Sequence, residues 1–284
     1  MKFSILIANY NNGRFFQDCY QSVISQTYSD WEAVIVDDYS SDHSLEIIHE
    51  LIKDDNRFRI YTNEANEGVG ITKSRLIDLA KGDICGFLDP DDALSPGAIN
   101  SAMEVFKNHD DIVLCYSKFY KCDERLIPLH IPKISKQVLN DDPYFFNCPV
   151  VMVQFVCFRK SVYLKTLGID AVLQIAEDQD LYLKMYEKGR VLFINEVNYY
   201  YRMHEGGISQ NGNMQRAYQY FGRVIFNAMR RRGLREINGK AIPENYSDSR
   251  EIFDLLKYQT EPAFRFKRRI KLLYHVMIRK LRVE

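Results

Sequence analysis

Short apolar runs alternate with amphipathic stretches through the first hundred residues of the chain. Four runs of strand length carry little charge, and they span residues 3–8, 31–36, 58–62 and 83–88. Helical spacing of apolar residues predicts helices between them, over residues 15–26, from about residue 43, and over residues 71–80. Strands that are apolar throughout and alternate with helices are typical of a parallel sheet with helices on its faces. The pattern therefore predicts an α/β fold.

A polar loop follows each of these four strands, and the loops span residues 9–12, 37–41, 63–70 and 89–92. Right-handed crossovers bring the carboxyl ends of parallel strands to one edge of the sheet. Open α/β sheets bind their ligands outside that edge. We therefore expect the four loops to line one binding crevice.

The loop after the fourth strand contains three carboxylates, Asp89, Asp91 and Asp92. Carboxylates crowded at the end of a buried strand repel one another and lose solvation, so they need a cation or a solvated loop. Oxygen ligands suit Mg²⁺ or Mn²⁺, which usually bind one or two carboxylates together with substrate phosphates. Asp-Pro-Asp-Asp also makes a good turn, so the pattern leaves a metal loop and a plain solvated turn both open.

The rest of the chain is less regular. Strands are expected over residues 112–117, within the apolar segment 150–158, and over residues 191–201. Ser161 is expected to cap a short helix, and a second helix should run from about residue 177 to 189. From residue 214 onward the pattern predicts helices only, over residues 214–232, 248–258 and 262–281. We predict one domain over residues 1–212, with halves over 1–117 and 118–212, and a helical extension over residues 213–284.

Charge is distributed unevenly along the 284 residues. The formal net charge is zero, but residues 213–284 hold 17 Lys and Arg against 7 Asp and Glu. The remainder of the chain is therefore acidic by ten charges. Such asymmetry indicates an acidic body and a basic tail that seeks an anionic partner.

Cysteine usage and the terminal sequence bear on location. The six cysteines show no C-x-x-C pair or metal-finger spacing, so they are expected as small buried side chains in a reducing compartment. The chain starts with a short apolar run that turns polar at once, which indicates a first strand and no signal peptide. The longest uncharged stretch, residues 143–158, is too short for a membrane span. We expect a protein that is cytoplasmic or that is peripheral on the inner face of a membrane.

Five segments together resemble the inverting family 2 glycosyltransferases, which have the nucleotide-sugar-binding GT-A fold. They are SILIANYNNGRF, SVISQTYSDWEAVIVDDYSSDHS, NEGVGITKSRLIDLAKGDICGFLDPDD, AEDQDL and YYYRMHEGGIS, and they occur in the family's order over the first 210 residues. The resemblance implies a GT-A catalytic domain over residues 1–212, with a mostly parallel sheet flanked by helices. Residues 1–117 would form its nucleotide-sugar-binding half and residues 118–212 its acceptor-side half. It also implies transfer of a sugar, with inversion, from a nucleotide-diphospho-sugar to an acceptor hydroxyl. A UDP-linked donor and Mn²⁺ or Mg²⁺ are the expected substrate and cofactor.

The resemblance also implies donor-binding residues. Asn9 and Tyr10 would contact the base and ribose, and Asp38 would accept a hydrogen bond from the imide N–H of uracil, which cytosine lacks. Lys73 would lie near the diphosphate, and Asp89 near the ribose and the metal. Loop polarity alone is the alternative explanation for Asn9 and Lys73.

Metal ligands and the base follow from the same resemblance. Asp91 would bind the metal together with Asp89, Asp92 would support them, and His204 beside Arg202 would reach the metal or the diphosphate. His204 could equally be a surface histidine at a strand end. Asp178 corresponds to the catalytic base, with Glu177 beside it. Both acids also suit the first turn of a helix, where they complement its dipole.

Three positions depart from the commonest family pattern. Gln179 stands where an aromatic residue often follows the Glu-Asp pair, and Ser74 and Leu76 stand where Asn and Gly are frequent. A nicotinamide dehydrogenase is disfavoured because the first loop lacks G-x-G-x-x-G, and a pyrophosphorylase because that loop is not Gly-rich and basic. A protein that binds a nucleotide sugar or a metal without turnover remains the alternative.

The basic C-terminal segment, residues 263–284, has an apolar stripe at Phe266, Ile270, Leu273, Met277 and Leu281. Such a helix can lie on anionic lipid, or it can pack its apolar stripe on the body of the protein. A membrane surface would make a lipid-linked glycan a natural acceptor and would suit assembly of bacterial surface polysaccharide or lipopolysaccharide. The tail has no recognisable nucleic-acid module, so no nucleic acid is expected as a partner.

Overall fold

One mixed sheet of nine strands runs through the protein, in a computed structural model that describes residues 1–205 and 214–281. Its strands are β1 Phe3–Asn9, β2 Trp31–Asp37, β3 Phe58–Thr62, β4 Ile84–Phe87, β5 Ala93–Leu94, β6 Ile112–Cys122, β7 Pro128–His130, β8 Gln154–Arg159 and β9 Arg190–Arg202. The helices are α1 Phe16–Ile24, α2 Ser44–Ile52, α3 Val69–Leu79, α4 Ala98–Asn108, α5 Lys160–Tyr163, α6 Glu177–Tyr186, α7 Met214–Arg231, α8 Ser249–Leu256 and α9 Pro262–Leu281. A hairpin of β10 Glu236–Ile237 and β11 Lys240–Ala241 lies between α7 and α8.

The first four long strands form the parallel half of the sheet, in the order β3, β2, β1, β4. β1 is buried on both faces, which explains why its sequence is apolar throughout. Phe3, Ile5 and Ile7 pack into one hydrophobic core and Leu6 into a second core on the opposite face. The carboxyl ends of all four strands therefore meet at one edge, as the sequence predicts.

The second half of the sheet is mostly antiparallel. β8 pairs antiparallel with β4 and with β6, while β9 runs parallel to β6 and antiparallel to the two-residue strand β5. In that last pair Ala93 and Leu94 lie opposite Tyr200 and Tyr199. The pairing holds the end of β9 against the Asp-rich loop that precedes β5, although about 110 residues separate them in the chain.

The C-terminal helices share the core of the preceding residues. Val224 and Met229 of α7 and Ile252 of α8 belong to the same cluster of buried side chains as Leu6 of β1. Arg231 of α7 also forms ion pairs with two carboxylates of the region around α6, Asp180 at 3.0 Å and Glu187 at 3.0 Å. The extension thus supports α6, the helix that begins with the Glu-Asp pair.

Several expectations from the sequence are wrong in detail. Ser161 does not cap α5, because the residue before the helix is Arg159 and it makes no side-chain cap. The expectation of helices only after residue 214 misses the β10–β11 hairpin. The strand expected within residues 150–158 begins at Gln154 and ends at Arg159, after a turn in which Asn147 has a positive φ of 51°. The sequence also indicates a Gly-rich loop over residues 205–213, of which residues 206–213 lie outside the described residues.

The two sides of α9 have different environments. Phe264, Arg268 and Leu272 are partly buried, and the Arg268 guanidinium lies 5.6 Å from the centre of the Phe145 ring. Phe266 and Leu273, by contrast, are 66% and 56% exposed. The stripe that the sequence singled out therefore does not pack on the body over its first half, while Met277 and Leu281 lie beyond the side chains that the structure describes. Within the described ranges, no helix has the length and apolar character needed to cross a bilayer.

Candidate active site

Asn9 ends β1 and organises the neighbouring loop after β2. Its Nδ2 donates to Asp37 Oδ1 at 2.6 Å, and the backbone N–H and hydroxyl of Ser40 donate to the same carboxylate. Asn9 is 1% exposed, and its Oδ1 atom is buried without a hydrogen-bond partner among the described residues. A buried acceptor that lacks a donor is unfavourable, so this atom is suited to a ligand N–H or a water. Tyr10, the next residue, is 46% exposed at the rim.

Asp38 lies in a cradle of three donors. Its Oδ1 accepts from Asn63 Nδ2 at 2.7 Å and from the backbone N–H of Glu67 at 2.9 Å, and its Oδ2 accepts from the backbone N–H of Gly68 at 2.8 Å. Gly68 has φ of +89°, a conformation in which a side chain is strained. A carboxylate has about four acceptor positions, so Asp38 retains capacity for one further donor.

Lys73 reaches from α3 into the crevice between the two halves of the sheet. Its ammonium pairs with Glu177 Oε1 at 2.7 Å and lies 5.2 Å from the centre of the Phe87 ring. Burial alone would lower the pKa of Lys73, but the carboxylates of Glu177, Asp89 and Asp178 outweigh it and the net shift is upward. Lys73 therefore stays protonated and supplies a fixed positive charge among these acids.

Asp89 lies among the acids near Lys73, and its pKa is raised. Burial, together with the negative charges of Asp91, Asp178 and Glu177, raises the pKa of Asp89 to about 6, although Lys73 opposes the shift. Its backbone N–H donates to the Tyr199 hydroxyl at 3.2 Å, which ties the loop to β9. An acid in a cleft with a pKa raised toward neutral pH is a candidate functional group. A bound cation would reduce the repulsion between Asp89 and the neighbouring carboxylates.

Asp91 and His204 are brought together from distant parts of the chain. Asp91 Oδ2 lies 2.8 Å from His204 Nε2, and the His204 side chain is 2% exposed. The His204 ring packs against Phe15, with 4.6 Å between ring centres. A surface position for His204 is therefore wrong. Within residues 1–205 and 214–281, no group of three or more His, Cys, Asp and Glu side chains is arranged to hold a metal.

Arg202 fixes the loop from which Asp91 projects. Its backbone N–H donates to Asp92 Oδ1 at 2.7 Å, its Nε to the Asp91 carbonyl at 2.6 Å, and its guanidinium pairs with Asp18 at 2.7 Å. Burial, followed by the charges of Asp89 and Asp91, raises the pKa of Asp92. Asp92 and Arg202 thus support the loop and hold its backbone in place.

Asp178 lies at the start of α6, facing the same crevice. Its Oδ1 accepts from the backbone N–H of Gln179 at 2.7 Å and its Oδ2 from Gln179 Nε2 at 3.2 Å. Burial and the neighbouring charge of Glu177 raise the pKa of Asp178, while Lys73 and the two bonds from Gln179 lower it. The first-turn acids do not cap α6, since Glu177 is paired with Lys73 and no side chain caps the helix.

The structure therefore gathers the sequence-predicted residues into two neighbouring groups. Asp89, Glu177 and Asp178 surround Lys73, with Asp91 and His204 adjoining. Asn9 and Asp38 form the second group at the ends of β1 and β2, and no direct contact joins Asp38 to Asp91 or Asp178 in the described residues. The sequence did not point to three residues that hydrogen-bond to site residues or to their neighbours. Asn63 contacts Asp38, Tyr199 contacts Asp89, and Asn147 contacts Gln179, the residue after Asp178. Asn63 gave a usable signal, as a polar residue at a strand end, but the other two gave none.

Comparisons with known proteins define the class. Residues 4–167 match the family model described as Glycosyl transferase family 2. A chondroitin synthase of Pasteurella multocida is 28% identical over 200 residues, which are 69% of this chain but only 20% of that protein. The chain thus spans about a fifth of the length of that relative.

Solved structures agree on the architecture. S. aureus TarS 1-349 in complex with UDP-GlcNAc superposes with a TM-score of 0.64 at 20% identity, covering 81% of this chain and 66% of that one. The mannosyltransferase PcManGT from Pyrobaculum calidifontis, in complex with GDP-Man and Mn²⁺, gives 0.60 at 11% identity, covering 95% and 84%. The protein has the GT-A fold. It belongs to Glycosyl transferase family 2.

Proposed function

We propose that the protein transfers a sugar from a UDP-sugar to an acceptor hydroxyl, with inversion and with the help of a divalent cation. The observation that carries the proposal is the convergence of Asp89, Glu177 and Asp178 around Lys73, with Asp91 next to Asp89, at the carboxyl edge of the parallel strands. Three acids and one ammonium in a cleft match the charges needed to hold a diphosphate through a cation and to accept a proton.

The donor's base would lie against the Asn9 and Asp38 group. Asp38 has one acceptor position left for the imide N–H of uracil, and the unpartnered Asn9 Oδ1 is a second acceptor close to the same loop. Tyr10 is exposed at the rim, where its ring can stack on the base. Among the related folds, TarS binds UDP-GlcNAc and PcManGT binds GDP-Man, so a nucleotide-sugar donor suits the fold and uridine suits these residues.

Asp91 and His204 fit a divalent cation, because their Oδ2 and Nε2 atoms lie 2.8 Å apart and can turn toward one ion. Two protein ligands suffice when the diphosphate supplies the others, which is the usual arrangement for Mg²⁺ and Mn²⁺ at phosphates. When bound, such a cation stabilises the negative charge of the diphosphate leaving group. Asp89, whose pKa is about 6, would contribute negative charge beside it and contact the ribose.

Asp178 would act as the base on the acceptor side. The acceptor oxygen forms a bond to the anomeric carbon while the bond from that carbon to the diphosphate breaks, and the acceptor proton passes to Asp178. Burial and Glu177 raise the pKa of Asp178, which improves its match to a proton taken near neutral pH. One base and one direct displacement give inversion, whereas retention needs a second carboxylate that forms a glycosyl-enzyme intermediate.

Replacement of Asp178 tests the proposal. With a panel of nucleotide sugars and Mn²⁺, the wild type should hydrolyse or transfer at least one UDP-sugar, and Asp178→Asn should lower kcat by about a hundredfold or more while donor binding persists. Asp170→Asn, an exchange of the same kind at an aspartate outside the crevice, is the matched control. Donor binding without any turnover by the wild type would favour the alternative, a nucleotide-sugar-binding protein.

The location and acceptor belong to the same proposal. The protein would work in the cytoplasm at the inner face of a membrane, on a lipid-linked glycan, in assembly of bacterial surface polysaccharide or lipopolysaccharide. Support comes from α9, which holds seven Lys and Arg and no acid between residues 262 and 281. Its Phe266 and Ile270 side chains are 66% and 52% exposed, and burial and the charges of Arg268 and Arg265 lower the pKa of nearby Lys136. Anionic lipid would relieve that repulsion and cover the apolar stripe.

Vesicle binding tests this location. The full chain should sediment with vesicles that contain phosphatidylglycerol, and less so with neutral vesicles or at high salt. Ile270→Asp should lower the bound fraction severalfold, whereas Leu167→Asp, at a residue that is 78% exposed on the body, should not. Equal binding by wild type and Ile270→Asp would rule out the membrane surface, and binding to DNA or RNA instead would point to nucleic acid.

A further inference from the structure

Asn147 is a fully buried polar residue in the irregular segment before β8. It is 0% exposed and has a positive φ of 51°. Its Oδ1 accepts hydrogen bonds from the backbone N–H groups of Val151 and Met152, both at 3.0 Å. These two bonds close the turn that leads into β8, so the Asn147 side chain is held in one orientation.

The two backbone donors also fix which end of the amide is which. Because Oδ1 must accept from both N–H groups, the other end of the side chain is the Nδ2 donor. It donates to the Met152 carbonyl at 3.1 Å and to Gln179 Oε1 at 2.7 Å. Gln179 in turn must present its Nε2 donor to the opposite side, where it meets Asp178 Oδ2 at 3.2 Å.

We propose that Gln179 is a positioning residue for the Asp178 carboxylate and that Asn147 sets the orientation of Gln179. This inference rests on the proposed role of Asp178 as the base. Together with the Gln179 backbone N–H, which contacts Oδ1 at 2.7 Å, the amide holds both oxygens of the carboxylate. One lone pair of Asp178 thereby stays aimed at the crevice, ready for the acceptor hydroxyl.

The residue type at position 179 matters for this role. The backbone N–H bond to Oδ1 would survive any substitution, but the bond to Oδ2 needs a side-chain donor of the right length. An aromatic ring of the kind frequent here in the family would remove it unless it carried a suitably placed donor. Hydrogen bonds thus connect Asn147 to Gln179 and Gln179 to Asp178. Through them the segment 146–154 affects the orientation of the Asp178 carboxylate without direct contact.

The other groups that act on Asp178 bear on how the inference is tested. Glu177 raises and Lys73 lowers its pKa, Asp89 faces it across the crevice, and the buried Tyr182 hydroxyl lies within reach of its charge. None of these is altered by a change at Gln179 or Asn147. A shift in the titration of Asp178 in such variants therefore reports the loss of the Gln179 donor.

Two variants separate orientation from packing. Gln179→Met keeps the length of the side chain and removes the donor. Asn147→Asp, in its ionised form, keeps an acceptor for the Val151 and Met152 N–H groups but has no donor for Gln179, whose amide should then turn its oxygen toward Asp178. Gln137→Met is the matched control, because Gln137 makes three hydrogen bonds to backbone atoms at β9 and its neighbour, Val138, away from the crevice.

The readouts are the Asp178 carboxyl titration, followed by ¹³C NMR and assigned by its loss in Asp178→Asn, and the pH profile of donor hydrolysis. We expect both site variants to raise the Asp178 pKa by about half to one unit, because a bond to the charged form is lost. The pH at which kcat declines on the acid side of its profile should rise by the same amount. KM for the donor should change less than twofold, and the control variant should behave like the wild type.

The inference is overturned if folded Gln179→Met and Asn147→Asp both titrate like the control. An unfolded Asn147→Asp leaves Gln179→Met to decide. If the Asp178 titration shifts in the variants but the wild type turns over no donor, the hydrogen bonds from Asn147 through Gln179 to Asp178 are confirmed. The proposed transferase function then fails.

Discussion

Asp89 shows how a single carboxylate of the candidate site can oppose folding. Its ordinary pKa is 3.8, and burial raises it to about 6 in the folded protein. The folded state therefore binds the proton more tightly than the unfolded chain, so this group adds stability as pH falls from above 6 to below about 4. At pH 7 the charged form destabilises the fold.

Removing the charge of Asp89 should stabilise the protein when no divalent ions are present. One pK unit corresponds to about 1.4 kcal/mol, so Asp89→Asn should raise the free energy of unfolding by about 1 to 3 kcal/mol at pH 7.5. The gain should shrink toward pH 4. Urea unfolding at several pH values measures it, with exposed Asp78→Asn as the control. A variant that is less stable than wild type at pH 7.5 would contradict the assignment.

Gly68 offers a second prediction at the level of the residue. A Cβ there would meet nothing within 4 Å, so only the backbone strain at φ of +89° opposes a side chain. Gly68→Ala should cost about 1 kcal/mol of stability and weaken UDP-sugar binding, because relaxing the strain moves a donor away from Asp38. Isothermal titration and thermal unfolding measure both effects. Gly97→Ala, with φ of −95° and equally open space, should be nearly neutral.

At the scale of elements, α7 holds α6 through charge. Asp180 is 1% exposed and pairs with Arg231 at 3.0 Å and with Lys184 at 2.5 Å. Arg231→Met should lower the free energy of unfolding by about 1 to 3 kcal/mol, because the buried carboxylate loses one of two cations. Chemical denaturation measures the loss. Arg230→Met, at the exposed neighbour, should change it by less than 0.5 kcal/mol, within the range expected of surface substitutions.

Elements of the parallel half were predictable because each strand is largely apolar and is followed by a polar loop. That pattern located Asp38, Asp89 and Asp91 at one edge before any coordinates. Asp178 could be identified only through the family resemblance, since first-turn acids are common in helices. The two-residue strand β5 carries no periodicity, so its pairing with β9, which brings His204 to Asp91, could not be anticipated.

At the scale of the whole molecule, periodicity identifies a stripe but not what covers it. α9 has two apolar stripes, one through Phe264 and Leu272 and one through Phe266 and Leu273, and a helical repeat of 3.6 residues describes both. Only the fold decides that the first faces the body and the second faces outward. Asn147 was unpredictable for a similar reason, since its partners are fixed by a turn of positive φ in an irregular segment.

The ion pair between Arg231 and Asp180 also bears on where the catalytic unit ends. The match to the family stops at residue 167, which invites a shortened protein. A truncation between α6 and α7 would remove Val224 and Met229 from the shared core and leave Asp180 with one counterion, two positions from Asp178, the proposed base. A fragment that ends before α7 should therefore aggregate or unfold even though it retains Asp178, so tests of the proposed function need the C-terminal helices.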